Sequence, residues 1–346
     1  MGIIPGVTWG TAVEISGAQL IHGLWSLNHN EEVFRPTGVG FGNFVKEVVR
    51  LGVSVGVTLT VDVRYGCAVM QALTHILGQD TSTETTVSEG DYAHVMKFDE
   101  ENDGEFSTFA ASYGTSTNDI LELPSVKWHT FEWSQAANGV GTITVEGIAN
   151  RVVTSGATNN LADLTGSTYQ DDVNFAVFGD ANHYFRMNSQ GGDALDSGDD
   201  KNIMDFTLRV SRPMSSQYTL RGANTRYVNE PKQLGLTEGT LRTKFHRILA
   251  SDIDLLSIWT NKTQQKAEIF MDGSQIGSGA NRSYKIQLPG LFPLQFPAGF
   301  DYPNNNSRME PEMTFDLLYK DSAPTGMTGV NYLAITAVNE RVAAYT

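Results

Sequence analysis

The chain has one cysteine, Cys67, in 346 residues, so no disulfide can close within it. That excludes the cysteine-stapled scaffolds and fits a reducing place of synthesis. Cations are also scarce: 24 Lys and Arg stand against 39 Asp and Glu, a formal net charge of −15, with a sequence pI of about 4.8. Such a chain does not wrap nucleic acid through phosphate contacts, which need Lys and Arg, although nucleic acid can pass it without sticking. No segment approaches the ~18 consecutive apolar residues that span a bilayer. The Met1–Pro5 segment has no basic region and no apolar stretch of signal-peptide length, and Gly6 stands where a myristoylation pattern needs Ser or Thr. The expectation is a protein made and kept inside a cell.

Recognisable chemistry is missing too. His22, His29, His75, His94, His129, His183 and His246 show no zinc-ligand spacing to one another or to the cysteine. His75 reads as a surface or core-edge residue. There is no G-x-S-x-G elbow and no P-loop, and Gly38, Gly40 and Gly42 lack the spacing of a dinucleotide loop. Asp99, Glu101 and Asp103 before Gly104 resemble the start of a calcium loop, but Ala110 stands where the bidentate Glu belongs, so an acidic turn is expected. Asp193, Asp196, Asp199 and Asp200 read as a solvated, glycine-rich loop. Cys67, at a helix start, reads as a small buried thiol. Trp25, Trp128, Trp133 and Trp259 invite a sugar-platform reading. Trp128 and Trp133 have opposite parity on one strand, however, which favours core packing. The reading predicts no enzyme, no cofactor and no metal.

What is present is β-structure. Hydrophobic residues make up 40% and charged residues only 18%, with many turn formers. A hairpin is expected across Trp9–Ile21 around Ser16-Gly17, and a loop over residues 28–42. Val55, Val57, Leu59, Val61 and Val63 alternate as one face of a strand. Val69, Met70, Leu73, Ile76 and Leu77 recur at helical spacing, with Gly78 as the C-cap. Thr81, Ser82, Thr83, Glu84, Thr85, Thr86, Val87, Ser88 and Glu89 form a polar tract expected to be an exposed loop or extended hairpin. Strands follow at Ala93–Phe98, Phe106–Ser112, Lys127–Trp133 and Gly141–Ile148, the last two joined through Asn138-Gly139. After a polar connection over residues 149–172 come a hairpin of Phe175–Phe178 with His183–Met187, and a strand through Phe206, Leu208 and Val210. A second strand over Leu241–Ile248 leads to a second helix, with Ser251 as N-cap and Ile253, Leu256 and Trp259 facing inward. Strands at Ala267–Asp272, Tyr284–Leu288 and Met313–Tyr319 follow. Pro124 and Pro289 mark edge or strand-start positions.

The unit occurs twice. Leu51-Gly52-Val53 with Gly56 reappears as Leu234-Gly235-Leu236 with Gly239, an offset of 183, and at that offset Met70, Leu73 and Ile76 meet Ile253, Leu256 and Trp259. Glu122-Leu123-Pro124 with Phe131 meets Gln287-Leu288-Pro289 with Phe296 at an offset of 165. A repeat this long is a whole domain. At 183 the strand parity is wrong, because Leu241 and Phe245 fall opposite to the alternating valines, so a one-residue slip or bulge must intervene. The fold expected is mainly β, with two tandem, similar β-sandwich or barrel domains over residues 1–155 and 156–346. Each carries one short flanking α-helix.

The order of strand, turn, short apolar helix, His-containing strand (Asp91-Tyr92-Ala93-His94), Leu-Pro strand and closing hairpin, carried twice, resembles the tail tube proteins of long, non-contractile-tailed bacteriophages, in the branch with two fused tube domains per chain. The resemblance covers roughly residues 20–150 and 200–320. It implies a structural virion protein of the tail, assembled in the host bacterial cytoplasm. Three chains would make a homotrimeric ring of six domains, and stacked rings would make a tube conducting viral DNA without binding it specifically, with tape-measure and tail terminator or tip proteins as partners. Two sets of residues are expected to assemble it: Thr81–Glu89 in ring stacking, and the strands bearing Val55, Val57, Leu59, Val61, Leu241 and Phe245 in ring closure. The polar tract accounts for unequal repeats, since 45 residues separate Leu77 from Leu123 but 28 separate Trp259 from Leu288. A carbohydrate- or receptor-binding β-sandwich of a tail fibre or adhesin is the alternative.

Overall fold

A computed structural model describes residues 1–16, 20–34, 49–66, 68–86, 89–117, 119–164, 175–178, 182–218, 227–246, 254–295, 311–342 and 345. The protein is mainly β, with two short helices. The first half contains β1 (Gly2–Pro5), β2 (Leu24–Phe34), β3 (Val49–Asp62), α1 (Val69–Leu77), β4 (Gly78–Thr86), β5 (Asp91–Phe98), β6 (Ser107–Ser112), β7 (Ile120–Ala136) and β8 (Thr142–Ala149). The second contains β9 (Tyr184–Ser189), β10 (Ile203–Ser211), β11 (Met214–Gln217), β12 (Asn229–Gln233), β13 (Glu238–Phe245), α2 (Leu255–Thr260), β14 (Gln265–Gln275), β15 (Asn281–Pro293), β16 (Glu312–Leu317) and β17 (Ala334–Asn339).

Strand pairing repeats. In the first half the hydrogen-bonded order is β1-β6-β7-β8-β3-β2. In the second it is β9-β14-β15-β16-β13-β10. Taken in chain order, the elements correspond one to one, with the helix following the third strand in each half. A hairpin is added to each set: β4–β5 after α1 in the first module, and β11–β12 before β13 in the second. The added β4–β5 hairpin is the longer spacing that separates Leu77 from Leu123.

The ladders also fix the slip in the repeat. Val57 pairs with Gly147, and Ala149 two residues on pairs with Val126. Leu241 pairs with Phe315, and Leu317 two residues on pairs with Leu291. Counting through them sets Val57 level with Leu241 and Val61 level with Phe245, an offset of 184. Pleat parity is thereby restored. Gly56 and Gly239, matched at 183 in the sequence, are one position out of step.

Two modules become one sheet because β7 is long. Its first half pairs with β6, while its second half pairs with β8 on one edge and with β10 of the second module on the other. The result is an eight-strand run, β2-β3-β8-β7-β10-β13-β16-β15. On one face Val55, Val57, Leu59 and Val61 join Phe131, Trp133, Leu208, Leu241, Phe245 and Phe315 in a continuous core. Each such side chain contributes about 1.5–3 kcal/mol on burial. The β4–β5 hairpin reaches the other way and pairs through β5 with β17.

Local chemistry explains several elements. The α1 helix ends at Gly78, which adopts φ 98°, a left-handed value that favours glycine. All nine α1 residues are buried, polar ones included. His75 is therefore a core residue, not a surface or core-edge one as its spacing suggested. The α2 helix is capped by Asp254, whose carboxylate accepts from the Ser257 N–H at 2.9 Å. The expected cap, Ser251, lies outside the described residues, as do Asp252 and Ile253. Leu255 is buried there and Leu256 is 46% exposed, which reverses the expected facing of Leu256.

Other expectations are corrected. Residues 9–16 carry no strand, so the hairpin expected over Trp9–Ile21 lacks its first strand; residues 17–19 lie outside the described residues. The stretch from 28 to Phe34 is strand, not loop; Gly38, Gly40 and Gly42 lie outside the description. Phe175, Val177 and Phe178 bridge to Arg64, Val140 and Ala137 of the first module instead of forming a hairpin with residues 183–187. Trp128 and Trp133 are both fully buried, as core packing requires; only their opposite parity is corrected, because the ladder with β8 shifts between Trp128 and Thr130. Trp128 lies over Gly147, where a Cβ would stand 2.9 Å from the indole. Pro124 and Pro289 sit inside long strands at bulges, not at strand starts.

Candidate assembly interface

The eight-strand run has a second face, and it is polar. On β3 it presents Ser54, Thr58 and Thr60; on β8, Thr142, Thr144 and Glu146; all are at least partly exposed. Across the seam, β10 presents Asp205, Thr207 and Arg209, and β13 presents Thr240, Arg242 and Lys244. The alternation of β-branched or charged residues with apolar ones makes both strands and faces in one pattern.

Cross-strand contacts tie this face together. Thr60 and Thr144 hydroxyls lie 3.0 Å apart. At the seam between modules, Ser134 and Thr207 hydroxyls meet at 3.1 Å and Thr130 and Ser211 hydroxyls at 2.8 Å. Glu132 lies opposite Arg209. Lys244 pairs with Asp205 at 3.4 Å, and Arg242 donates to Glu312. That hydrogen bond raises the Arg242 guanidinium above its ordinary value. Burial, and then the neighbouring Glu238, push the Asp316 carboxyl up. Exposed pairs of this kind each add at most about 1 kcal/mol.

The run has open ends. The outer edge of β2 has no strand partner among the described residues, and the β15 edge that meets β14 as far as Leu291 has no strand partner beyond it at Phe292 and Pro293. The β2 strand corresponds to β10, the strand that docks on β7. Its equivalence runs through the ladders: Leu27 pairs with Val57 as Leu208 pairs with Leu241.

Val55, Val57, Leu59, Val61, Leu241 and Phe245, expected to serve ring closure, are between 0% and 2% exposed and point into the core. Both edges of β3 and both edges of β13 are also occupied within the chain. That expectation is corrected: among the described residues β2, not β3 or β13, has an outer edge without a strand partner. Half-buried Trp25 and Leu27 at alternate positions were the available signal, but such a short alternation does not say which edge is open.

Of the polar tract, Thr81, Ser82, Thr83, Glu84, Thr85 and Thr86 lie on β4, the edge strand of the hairpin, with Thr81, Thr83, Glu84 and Thr85 exposed. Val87 and Ser88 lie outside the described residues. The Glu89 carboxylate accepts from the Ser278 hydroxyl at 2.6 Å, and Asp91 accepts from the Ala280 N–H at 2.9 Å, both in the second module. The C-terminal segment crosses the hairpin: Ser82 donates to the Val342 carbonyl at 3.0 Å, and Asp80 accepts from the Tyr345 N–H at 2.6 Å. Buried His94 shares a 2.8 Å hydrogen bond with the Arg341 carbonyl.

The reverse clasp uses β11–β12. Lys127, fully buried on β7, meets Glu230 of β12 at 2.8 Å, and Lys232 pairs with Asp103. Buried Arg212 donates to the carbonyl of Leu77, at the end of α1, at 2.9 Å, and its guanidinium stacks 4.3 Å from the Phe98 ring. A cation at a helix C-terminus complements the dipole. Burial still lowers that guanidinium to about 10, with Asp99 opposing. No spacing in the sequence marks these buried cations.

The acidic segments are internally engaged. Asp196 accepts from the Gly198 N–H at 2.7 Å and Asp200 pairs with Arg186 at 2.8 Å. Asp99 accepts from the Glu101 N–H at 3.2 Å. Among the described residues no three His, Cys, Asp or Glu side chains stand together as a metal set, and no helix is long and apolar enough to cross a membrane. Cys67 lies outside the description. No family model and no curated protein matches the sequence.

Proposed function

We propose that the chain is a major tail tube subunit of a long, non-contractile-tailed bacteriophage. Three copies would close a ring of six modules, and rings would stack into a tube that conducts viral DNA. The observation that carries this reading is the seam between β7 and β10. The second module docks its first inner strand on the first module, and the outer edge of the first module's own equivalent strand, β2, has no strand partner among the described residues. A contact already made once inside the chain, with its donor edge free at one end of the sheet, is a head-to-tail contact that can repeat between copies and close a ring.

The polar face supports the same reading. In a closed ring, the face carrying Glu132, Glu146, Glu238 and Asp316 would line the lumen; its cations Arg209, Arg242 and Lys244 each face an acid, and the remaining carboxylates would repel phosphate and let a polyanion slide. The β4 edge, with Thr81, Thr83 and Thr85 outward, is suited to contacts between rings. No reaction is assigned. Tape-measure and terminator proteins are the partners the proposal implies. Electron microscopy of the purified chain tests it. Rings or tubes with a central hole are expected; a monodisperse monomer that binds glycans would replace this reading with the adhesin one.

A further inference from the structure

Two buried groups, Lys127 and Asn102, meet a half-buried carboxylate, Glu230, beneath β11–β12. Lys127 lies on β7 with no solvent exposure. Its Nζ is 2.8 Å from Glu230 Oε1 and also donates to the main-chain oxygen of Asn102. Asn102 is itself only 4% exposed, and its carboxamide nitrogen is buried without a hydrogen-bond partner. A buried donor left unpaired costs about 1–3 kcal/mol and asks for an explanation. The site thus holds a buried amine, a buried carboxamide on the residue that amine touches, and a carboxylate against the amine that keeps one side toward water.

We propose that Lys127 and Asn102 join through an intramolecular amide bond, with Glu230 shuttling the proton. Glu230 takes a proton from the Lys127 ammonium across their hydrogen bond. The free amine attacks Cγ of Asn102, and the new C–N bond forms as the carboxamide C–N bond breaks. The Lys127 nitrogen gives up its second proton to the departing nitrogen, which leaves as ammonia and takes the last proton from Glu230 as ammonium. The carboxylate is regenerated, nothing is oxidised or reduced, and one amide replaces another.

The surroundings favour each step. Burial lowers the Lys127 amine below its usual value, against the pull of Glu230, Asp103 and Glu105, so the nucleophilic form is more accessible. Burial also raises the Glu105 carboxyl, with Lys127 opposing. His75, whose Nε2 is 3.7 Å from Glu105, stays neutral in the same core. The bond would pin the β5–β6 loop to β7. It belongs to the first module alone, since Phe292 of β15 stands where Lys127 stands on β7. It does not depend on ring formation.

Intact mass spectrometry of the denatured full-length chain, followed by a tryptic map, decides it. The expected result is a chain lighter than its sequence by one ammonia, no cleavage after Lys127, and a branched peptide linking Lys127 to Asn102. Glu230→Gln and Lys127→Arg are both expected to restore the sequence mass. A wild-type mass equal to the sequence overturns the proposal. So does an ammonia loss that maps to a cyclised Asn138-Gly139 with Lys127 still cleaved.

Discussion

Pro124 and Pro289 occupy the same step of the same bulge in the two modules. In the first, Ser107 pairs with Val126 and Phe109 with Leu123, leaving Pro124 and Ser125 opposite Thr108. In the second, Gln265 pairs with Leu291 and Ala267 with Leu288, leaving Pro289 and Gly290 opposite Lys266. Proline is tolerated inside a sheet at a bulge, where no ladder N–H is required. Pro124→Ala and Pro289→Ala are each expected to cost about 0.4–1 kcal/mol, through the freer unfolded chain. Deleting Ser125 is different. It shifts the rest of β7 by one residue and turns Phe131 and Trp133 away from the core. Chemical denaturation should show small, matched losses for the two alanine variants and no cooperative transition for the deletion.

His75 makes stability depend on acid. An unfolded histidine takes up its proton near 6.5, but burial, and then Lys127, hold His75 neutral in the folded chain down to about 3. Between those values the unfolded state binds more protons, so stability is full above pH 6.5 and falls as pH drops through the window. The slope is at most about 1.4 kcal/mol per pH unit. His75→Gln should flatten the pH dependence of the unfolding free energy between about pH 4 and 6, roughly the middle of that window. An unchanged slope would show that another group carries the acid sensitivity.

Leu241 and Val57 separate packing from assembly. Both are buried at equivalent places. Leu241→Ala should cost about 2–5 kcal/mol. The loss should be seen in the dilute, unassembled chain, as a lower denaturation midpoint. A variant that kept wild-type stability yet failed to assemble would return these strands to an interface.

The open edge of β2 can be blocked without touching the core. Successive N–H groups alternate between the two edges of a strand, so proline at either Asn28 or His29 removes a donor from the free edge and spares the ladder to β3. One of Asn28→Pro and His29→Pro is therefore expected to fold with near-native circular dichroism and remain monomeric in light scattering. If both fold and both assemble, β2 is not the contact.

Much of the fold is legible in the sequence where the signal is local. Val55 to Val63 and Phe206 to Val210 announce strands by parity, Val69 to Leu77 a helix by spacing, and Gly78 its end. The β2 strand past Asn28 was hidden because its residues, from Asn28 to Glu32, are polar. The pairing of β10 with β7 was hidden because a strand carries no mark of which distant edge it meets. Trp128 and Trp133 lie in the core as expected, although one bulged residue between them reverses the parity read from the sequence, and only the ladder reveals it. The buried cations Lys127 and Arg212 look like surface residues until the chain folds loops over them.

In the proposed tube the β7–β10 seam inside the chain repeats between chains. Cryo-electron microscopy of the assembled, full-length protein reads this directly. The account predicts a ring of three copies and six modules, with β2 of each copy hydrogen-bonded to the second module of its neighbour in the register that Leu208 keeps with Trp133. A ring held by other surfaces, or a protein that stays monomeric at every concentration, contradicts it.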